Sequence, residues 1–278
     1  MEKIRIKNVT EENIDDLCQI CIPSEKREDP AFIKGMEEKR KWAMEMLQMW
    51  SSFAKLAYRE STPVGLIQYK PVPPERIIYI YCIYVPEKEN WRKEVATKLL
   101  SSLIEDMKKP RVWFDNKFPL ALVTQTFAGE KPGQYSARLF FTKKGFKQVG
   151  DDPDFLYYPL KKGFIYQPVK GRRDPVYITE TQKTEGYIPQ EEDKGKVLLI
   201  YGPSFCPFSY SFLKKAEQEI KEVAQGIPMR WISKSEEPEE VKKRGNVEGC
   251  FVNAKPIKSF VFDKENFQKE VSEALMFP

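Results

Sequence analysis

Residues 77–107 read IIYIYCIYVPEKENWRKEVATKLLSSLIEDM. The run 77–85 is apolar or aromatic on both faces, which marks a strand at the centre of a sheet. Pro86 stops it, because proline cannot donate to a ladder. The charged loop Glu87 to Lys93 leads into a helix near 94–108, with Val95, Leu99, Leu100, Leu103, Ile104 and Met107 on one apolar stripe. A buried strand, a turn and an amphipathic helix in that order belong to an α/β domain.

The flanking sequence extends this reading in both directions. Upstream, residues 3–9 alternate apolar and charged side chains as a half-buried strand does. Thr10 then offers an N-cap to a short helix carrying Ile14, Leu17, Cys18 and Cys21. A second helix runs over 30–50, with Phe32, Met36, Trp42, Met46 and Leu47 inward. Strands at 53–59 and 64–70 turn at Ser61-Thr62-Pro63. Downstream come a strand near 120–126, a helix near 135–144 and a strand near 154–160. Residues 163–195 carry Gly163, Pro168, Gly171, Pro175, Gly186 and Pro189 with no sustained period, and read as an extended linker. A second β-α-β-α-β-β-α pattern fills 196–278: strand 196–201, helix 208–224, strand 228–233, helix 237–244, a hairpin over 250–262 turning at Asn253-Ala254-Lys255, and helix 263–275. The domains expected are therefore 1–162, a linker over 163–195, and 196–278.

Composition narrows the chemistry. The chain holds 278 residues, with 41% hydrophobic, 31% charged and a net charge of +5. This suits a globular chain, and the charge is too mild and too mixed for a nucleic-acid binder. No apolar run reaches the ~18 residues that a membrane helix needs. The start, Met1-Glu2-Lys3-Ile4-Arg5, lacks the apolar core of a secretory signal, so a cytoplasmic location is expected. There is no histidine, which removes Ser-His-Asp and Cys-His mechanisms and histidine-based zinc sites. Proton handling falls to carboxylates, Tyr, Cys or water. The cysteines Cys18, Cys21, Cys82, Cys206 and Cys250 are sparse and odd in number, unlike a disulfide scaffold. No metal site is expected. Cys18 and Cys21 read as core thiols, and Cys82 as core or an acyl acceptor. The cluster Lys170-Gly171-Arg172-Arg173 reads as solvated surface.

The order of elements over 1–162, with the segments 82–107 and RLFFTKKGFKQVG (138–150), resembles the GNAT acetyltransferase superfamily. The resemblance implies an α/β fold of the α+β kind with a mixed, mostly antiparallel sheet. It also implies acetyl-CoA as cosubstrate. In that family the late backbone of the central strand holds the pantetheine arm, here Ile83, Tyr84 and Val85. The following loop and helix start receive the pyrophosphate on backbone N–H groups, here Trp91, Arg92, Lys93, Glu94, Val95, Ala96 and Thr97. Aligned on Leu99-Leu100, the family pattern Gln/Arg-x-x-Gly-x-Gly/Ala puts Trp91 at the Gln/Arg, Glu94 at the first Gly and Ala96 at the second. Phe141 stands where many members place the tyrosine acid, with Lys144 beside it in the same signature. Tyr135, about a turn and a half upstream on the same expected helix, is a substitute candidate. Glu60, Tyr69 and Tyr81 lie on strands lining the acceptor side in that fold.

The stretch GKVLLIYGPSFCPFSYSFLKKAEQEIKEV (195–223) is similar to the opening of thioredoxin-like domains. Cys206 would stand at a helix start, where a thiolate is favoured, and Ser209 takes the resolving-cysteine position of C-x-x-C. Gly249-Cys250 stand where that fold has its cis-proline, which implies Cys250 as a neighbour and disulfide partner for Cys206. Over nearly its full length the chain resembles GNAT proteins with a C-terminal YoaP-like domain. The shared features are Cys82-Ile83, Lys39-Arg40-Lys41-Trp42, Phe140 to Phe146, Asp152-Pro153-Asp154-Phe155, Cys206-Pro207-Phe208 and the hairpin near Val252-Asn253. The resemblance implies direct N-acetyl transfer from acetyl-CoA to a small-molecule or peptide amine, with the C-terminal domain shaping the acceptor site. Two alternatives stay open: a decayed GNAT acting as a CoA- or ligand-binding scaffold, and a thiol or redox protein using Cys206.

Overall fold

The structure is a computed structural model that describes residues 3–126, 136–168 and 186–276. By internal contacts the chain divides into two units, Met1–Cys21 with Ala43–Val176, and Ile22–Trp42 with Tyr177–Pro278. The second unit therefore takes in Ile22–Trp42, which the sequence reading had put in the first domain.

The first unit is built on a seven-stranded sheet of order β1-β2-β3-β4-β5-β7-β6. Its strands are β1 (Ile4–Asn8), β2 (Ala54–Arg59), β3 (Thr62–Val72), β4 (Ile77–Tyr84), β5 (Ala121–Gln125), β6 (Lys147–Val149) and β7 (Asp152–Pro159). Only β4 and β5 run parallel; the remaining neighbours are antiparallel. The apolar strand is central, as its two-sided hydrophobicity requires. Its helices are α1 (Ile14–Gln19), α3 (Val95–Asp106) and α4 (Ala137–Lys143), together with the residues of α2 (Pro30–Trp50) from Ala43 onward; α2 up to Trp42 belongs to the second unit. Thr10 and Asn13 form a capping box, so a 3-10 turn at Glu11–Asn13 precedes α1. The short edge strand β6 was not foreseen: Lys147 and Gln148 are exposed and leave only Val149 as an apolar signal.

Leu99, Leu100 and Leu103 of α3 pack with Ile67, Ile78, Ile80, Leu122, Phe141 and Phe146 in one buried cluster. Burying side chains of this size contributes about 1.5–3 kcal/mol each. Gly65 on β3 lets α3 come close. A Cβ there would lie 2.6 Å from Val95 Cγ1 and 3.3 Å from Tyr84 O.

The second unit has a four-stranded sheet of order β11-β10-β8-β9. It consists of β8 (Val197–Tyr201), β9 (Met229–Ser233), β10 (Gly249–Val252) and β11 (Lys255–Pro256), with α5 (Phe208–Val223), α6 (Pro238–Lys243) and α7 (Lys264–Met276). The hairpin turn at Asn253-Ala254 has both residues at positive φ, 50° and 59°, as a two-residue turn between twisted strands demands. Its second arm is far shorter than the sequence suggested. It ends at Pro256, which cannot extend a ladder.

Among the described residues of the expected linker, the two ends are held. Tyr166 is buried and donates to Glu75 Oε2 at 2.6 Å in the first unit. Tyr187 stacks on Phe251 with ring centroids 4.3 Å apart in the second. Tyr187 also donates to Asp193 Oδ2 at 2.6 Å. Asp193 in turn binds Arg244, whose side chain has 0% exposure, at 2.5 Å. The Lys170–Arg173 cluster lies outside the described residues.

Candidate active site

In the first unit the site grows out of one irregularity. β4 pairs with β5 from Ile77↔Ala121 to Ile80↔Thr124 and no further. Against β3, Cys82 faces Gln68 and Ile80 faces Tyr69, which leaves Tyr81 as the extra residue of a bulge. A bulge bends a strand and sharpens its twist. Here it falls where β4 parts from β5. Beyond Ile80, β4 continues to Tyr84 with a ladder partner on the β3 side alone. Thr124 Oγ1 donates to the Ile80 carbonyl at 3.1 Å and closes the fork. Cys82 and Ile83 are half-buried at the open end and Tyr84 is exposed.

The bulge has a sequence signature that simple alternation missed. Ile78 and Ile80 point into the α3 core, and the next β4 side chains packed there are Ile83 and, just beyond the strand, Val85. The step of three between Ile80 and Ile83 is the inserted residue.

The loop after β4 turns back on itself. Trp91 Nε1 donates to the Val85 carbonyl at 2.9 Å, so Val85 O already has a protein donor. Arg92 and Glu94 both have positive φ, 60° and 62°. Glu94 is the N-cap of α3 at ψ 9°, with no side-chain cap bond. Left-handed backbone is natural for glycine and strained for glutamate. The Glu94 side chain is exposed, as are Arg92 and Lys93. The first helical bond is Lys98 N to Glu94 O at 2.9 Å, so the N–H groups of Val95, Ala96 and Thr97 stand at the positive end of α3 without helical partners. Ile83, Tyr84, Val85, the loop 91–94 and Val95–Thr97 are thus brought together around the fork. The backbone donors at the start of α3 suit a phosphate, and the half-open edge of β4 suits an extended amide chain.

Other candidates separate from this group. Phe141 is a core residue, ring-packed on Phe140 and Phe146 at 5.3 and 4.8 Å. Lys144 is exposed at the end of α4, with Nζ 6.0 Å from the Phe140 ring. Tyr135 lies outside the described residues. Tyr69 is fully buried and its hydroxyl is 2.8 Å from Ser52 Oγ; burial pushes its pKa up to about 12. It is therefore a locked core phenol. Cys206 belongs to the second unit, just before α5. None of the five cysteines is in a disulfide. The expected Cys206–Cys250 pairing is not what the structure holds: Cys250 is buried in a core with Val197, Leu199 and Ile220, and burial raises its thiol pKa far above the usual range. Alternation along β10 turns Cys250 and Gly249 to opposite faces, and Gly249 is the one that lines a cavity with Cys206.

Sequence reasoning missed Gln68 and Asn90. Both are buried, at 1% and 3% exposure. Gln68 sits opposite Cys82 at the fork. Asn90 precedes Trp91, and its Oδ1 has no hydrogen bond among the described residues. A polar residue inside an apolar strand, as in VGLIQYK, was the available signal for Gln68. No group of three or more metal-ligating residues occurs among the described residues, and no described helix is long and apolar enough to cross a membrane.

A mixed sheet whose one parallel pair forks beside a helix start is consistent with the GNAT acyltransferase fold. Residues 17–118 match the model of the acetyltransferase (GNAT) family, a stretch that contains the fork, the loop and α3. The match supports an acyltransferase using acetyl-CoA as cosubstrate. Among solved structures, the chain is similar to a PaiA N-acetyltransferase from Thermoplasma acidophilum in complex with coenzyme A. That pair shares 19% identity over 56% of this chain and 97% of that one, with a TM-score of 0.40. It is similar also to an N-acetyltransferase from Staphylococcus aureus Mu50 (17% identity, 57% and 99% covered, TM-score 0.41). A third is a GNAT family acetyltransferase from Brucella melitensis in complex with acetyl-CoA (9% identity, 57% and 89% covered, TM-score 0.37). No curated protein matches the chain.

Proposed function

We propose that the first unit is an N-acetyltransferase that moves an acetyl group from acetyl-CoA directly to the amine of a small molecule or peptide. The observation that carries this reading is the fork after Ile80, with α3 starting beside it. When bound, acetyl-CoA supplies the activated thioester. The backbone of Ile83 and Tyr84 would hold the pantetheine amides, and the N–H groups of Val95, Ala96 and Thr97 would face the diphosphate. Arg92 and Lys93 add positive charge on the same loop. Holding amine and thioester in line supplies most of the rate, as effective molarity does in intramolecular reactions. A backbone donor at the fork would steady the carbonyl oxygen as it gains charge. No histidine is available as base, so the acceptor must lose its proton to water or a carboxylate.

For the second unit, the thioredoxin-like reading is supported by the strand order β11-β10-β8-β9 and by Cys206 just ahead of α5.

The test is acetyl-CoA binding by calorimetry, followed by release of CoA thiol with a panel of primary amines and amino-terminal peptides. Saturable binding with amine-dependent thiol release is the expected result. Binding with no release for any amine would favour a cofactor-holding scaffold, and absence of binding would sink the reading.

A further inference from the structure

The four-stranded sheet of the second unit has two edges, and they differ. One edge, β11, is two residues long and ends at Pro256, which blunts it. The other edge, β9, has neither device. It pairs with β8 from Val197↔Met229 to Tyr201↔Ser233 without a register shift, and no strand lies on its outer side among the described residues. Met229–Ser233 holds no proline and no lysine. Its one charged residue, Arg230, is met by Glu237 at 2.5 Å and Glu240 at 3.1 Å. An edge strand turns a row of N–H and C=O groups outward, and an unprotected row is a template for another strand.

The side chains beside this edge carry a pattern of their own. Met229 and Trp231 are half-buried on the face that α5 covers. Above them α5 presents Tyr210, Lys214, Glu217 and Lys221, one stripe at helical spacing. Tyr210 packs on Trp231 with ring centroids 5.1 Å apart, and Lys214 Nζ stands 4.5 Å from the centre of the Trp231 ring. Glu217 takes Lys214 at 2.9 Å and Lys221 at 2.7 Å. Glu217 and Lys221 also border an open groove whose lining includes Ala224, Ile227 and Met229. The side chains of Lys214 and Lys221 are 42% and 61% exposed, so the stripe faces solvent. Its spacings of four, three and four residues read the same from either end. Reversed and laid against itself, the stripe sets Lys214 against Glu217 and Tyr210 against Lys221, an ion pair and a cation–π contact each made twice.

We propose that β9 is an interface between two copies of this chain. β9 of each copy pairs antiparallel with β9 of the other, about a two-fold axis normal to the sheet, and the two sheets become one. Such an axis keeps both α5 helices on the same face and runs them antiparallel, which is the reversal that the stripe matches. Centred on Trp231, it opposes the two indole rings and sets Arg230 against Ile232 of the second copy. Centred on Arg230, it would oppose two guanidinium groups, and like charges directly opposite are destabilising. The groove beside Met229 is then one half of the space between the two α5 helices. The interface is isologous, so each residue meets its complement twice. One pair of five-residue strands with its flanking helix contacts is at the small end of specific interfaces, so the dimer forms at micromolar concentration.

The experiment follows the mass of the full-length chain by sedimentation velocity over a micromolar concentration series. The expected result is a monomer–dimer equilibrium, with amide exchange in residues 229–233 slowing as the dimer fills. Glu217→Lys sets Lys214 against a lysine across the axis, and Lys214→Glu sets Glu217 against a glutamate. Each variant alone should dimerise at least about tenfold more weakly than the wild type. Mixed in equal amounts, the two should associate again, because each copy supplies the charge that the other lacks. Mixing separates the interface from the ion pair inside each helix, which mixing does not repair. A wild type that stays monomeric throughout the series would overturn the proposal and leave the edge to a different partner. So would a dimer that both variants form as readily as the wild type, since its interface lies elsewhere, or two variants that stay apart when mixed. Should either variant fail to fold, concentration-dependent protection of residues 229–233 in the wild type decides alone.

Discussion

At Glu94 two costs meet in one residue. Its φ of 62° is left-handed backbone, which costs a residue with a Cβ about 1–2 kcal/mol relative to glycine. Its carboxylate also stands on the loop that we assign to a diphosphate, where like charge repels. Glu94→Gly removes both. The substitution should raise stability by roughly 1 kcal/mol and tighten acetyl-CoA binding. Thermal melts with and without cofactor would measure the two effects. Glu94→Gln separates them: it keeps the strained backbone and removes the charge, so it should improve binding while leaving the melting temperature of the cofactor-free chain unchanged. If neither variant binds acetyl-CoA more tightly than the wild type, the loop is not where the diphosphate sits.

Between elements, the position of α3 is decided by what β3 does not carry. Gly65 leaves room for Val95, whose Cγ1 would be 2.6 Å from an added Cβ. Gly65→Ala should push the start of α3 away from the sheet and cost about 1–3 kcal/mol, as overpacking does. It should also weaken acetyl-CoA binding, because the N–H groups of Val95 to Thr97 move with the helix. Chemical denaturation and calorimetry would show the two losses together, and a variant destabilised but binding normally would argue against α3 as the phosphate-facing element. Much of this arrangement was legible beforehand. Two-sided apolarity gave β4, one apolar stripe gave α3, and both lie within a residue or two of their expected bounds. Three things were not legible, each for a physical reason. The bulge at Tyr81 shifts parity by one residue inside a run where every residue is apolar, so alternation has no contrast to read. Glu38 and Lys39 are buried in α2, yet a charged residue in a helix ordinarily signals solvent. Lys55 is buried too, held by Asn8 Oδ1 at 2.7 Å and Asp106 Oδ2 at 2.5 Å; these partners come from distant stretches of chain. Burial of that kind is fixed by tertiary contacts that local patterning does not contain.

Over the whole molecule, the absence of histidine fixes how the protein answers to pH. The groups with resolved shifts that matter on the acid side are carboxylates held low. Burial alone would raise Asp193, but hydrogen bonds from Arg244 and Tyr187 outweigh it and hold the pKa below its usual value. Glu240 is lowered to about 2, chiefly by its bond to Lys243, with Arg244 adding to it. A carboxylate whose folded pKa is depressed contributes stability that is full above its unfolded value and disappears as pH falls through the folded one. Stability should therefore be level from about pH 6 to 8, where no side chain with an ordinary pKa titrates. It should fall from about pH 4.5, the unperturbed glutamate value, toward pH 2. Asp193→Asn should lower the plateau by about 3–5 kcal/mol, because it leaves the buried Arg244 charge without its closest partner. It should also flatten the acid limb, since one linked proton is lost. The same composition shapes the reaction. An amine acceptor attacks only as the neutral base, and an alkylammonium titrates near pH ~10. In the proposed acetyl transfer kcat/KM should then climb about tenfold per pH unit from 6 toward the acceptor's own pKa, with no second limb near pH ~6.5, where an imidazole would act. Rates taken with two amines of different basicity would separate the cases. The inflection should move with the amine where water takes the proton, and one that stays fixed when the amine changes would belong to a base on the protein, such as a carboxylate, and contradict transfer limited by the acceptor's own ionisation.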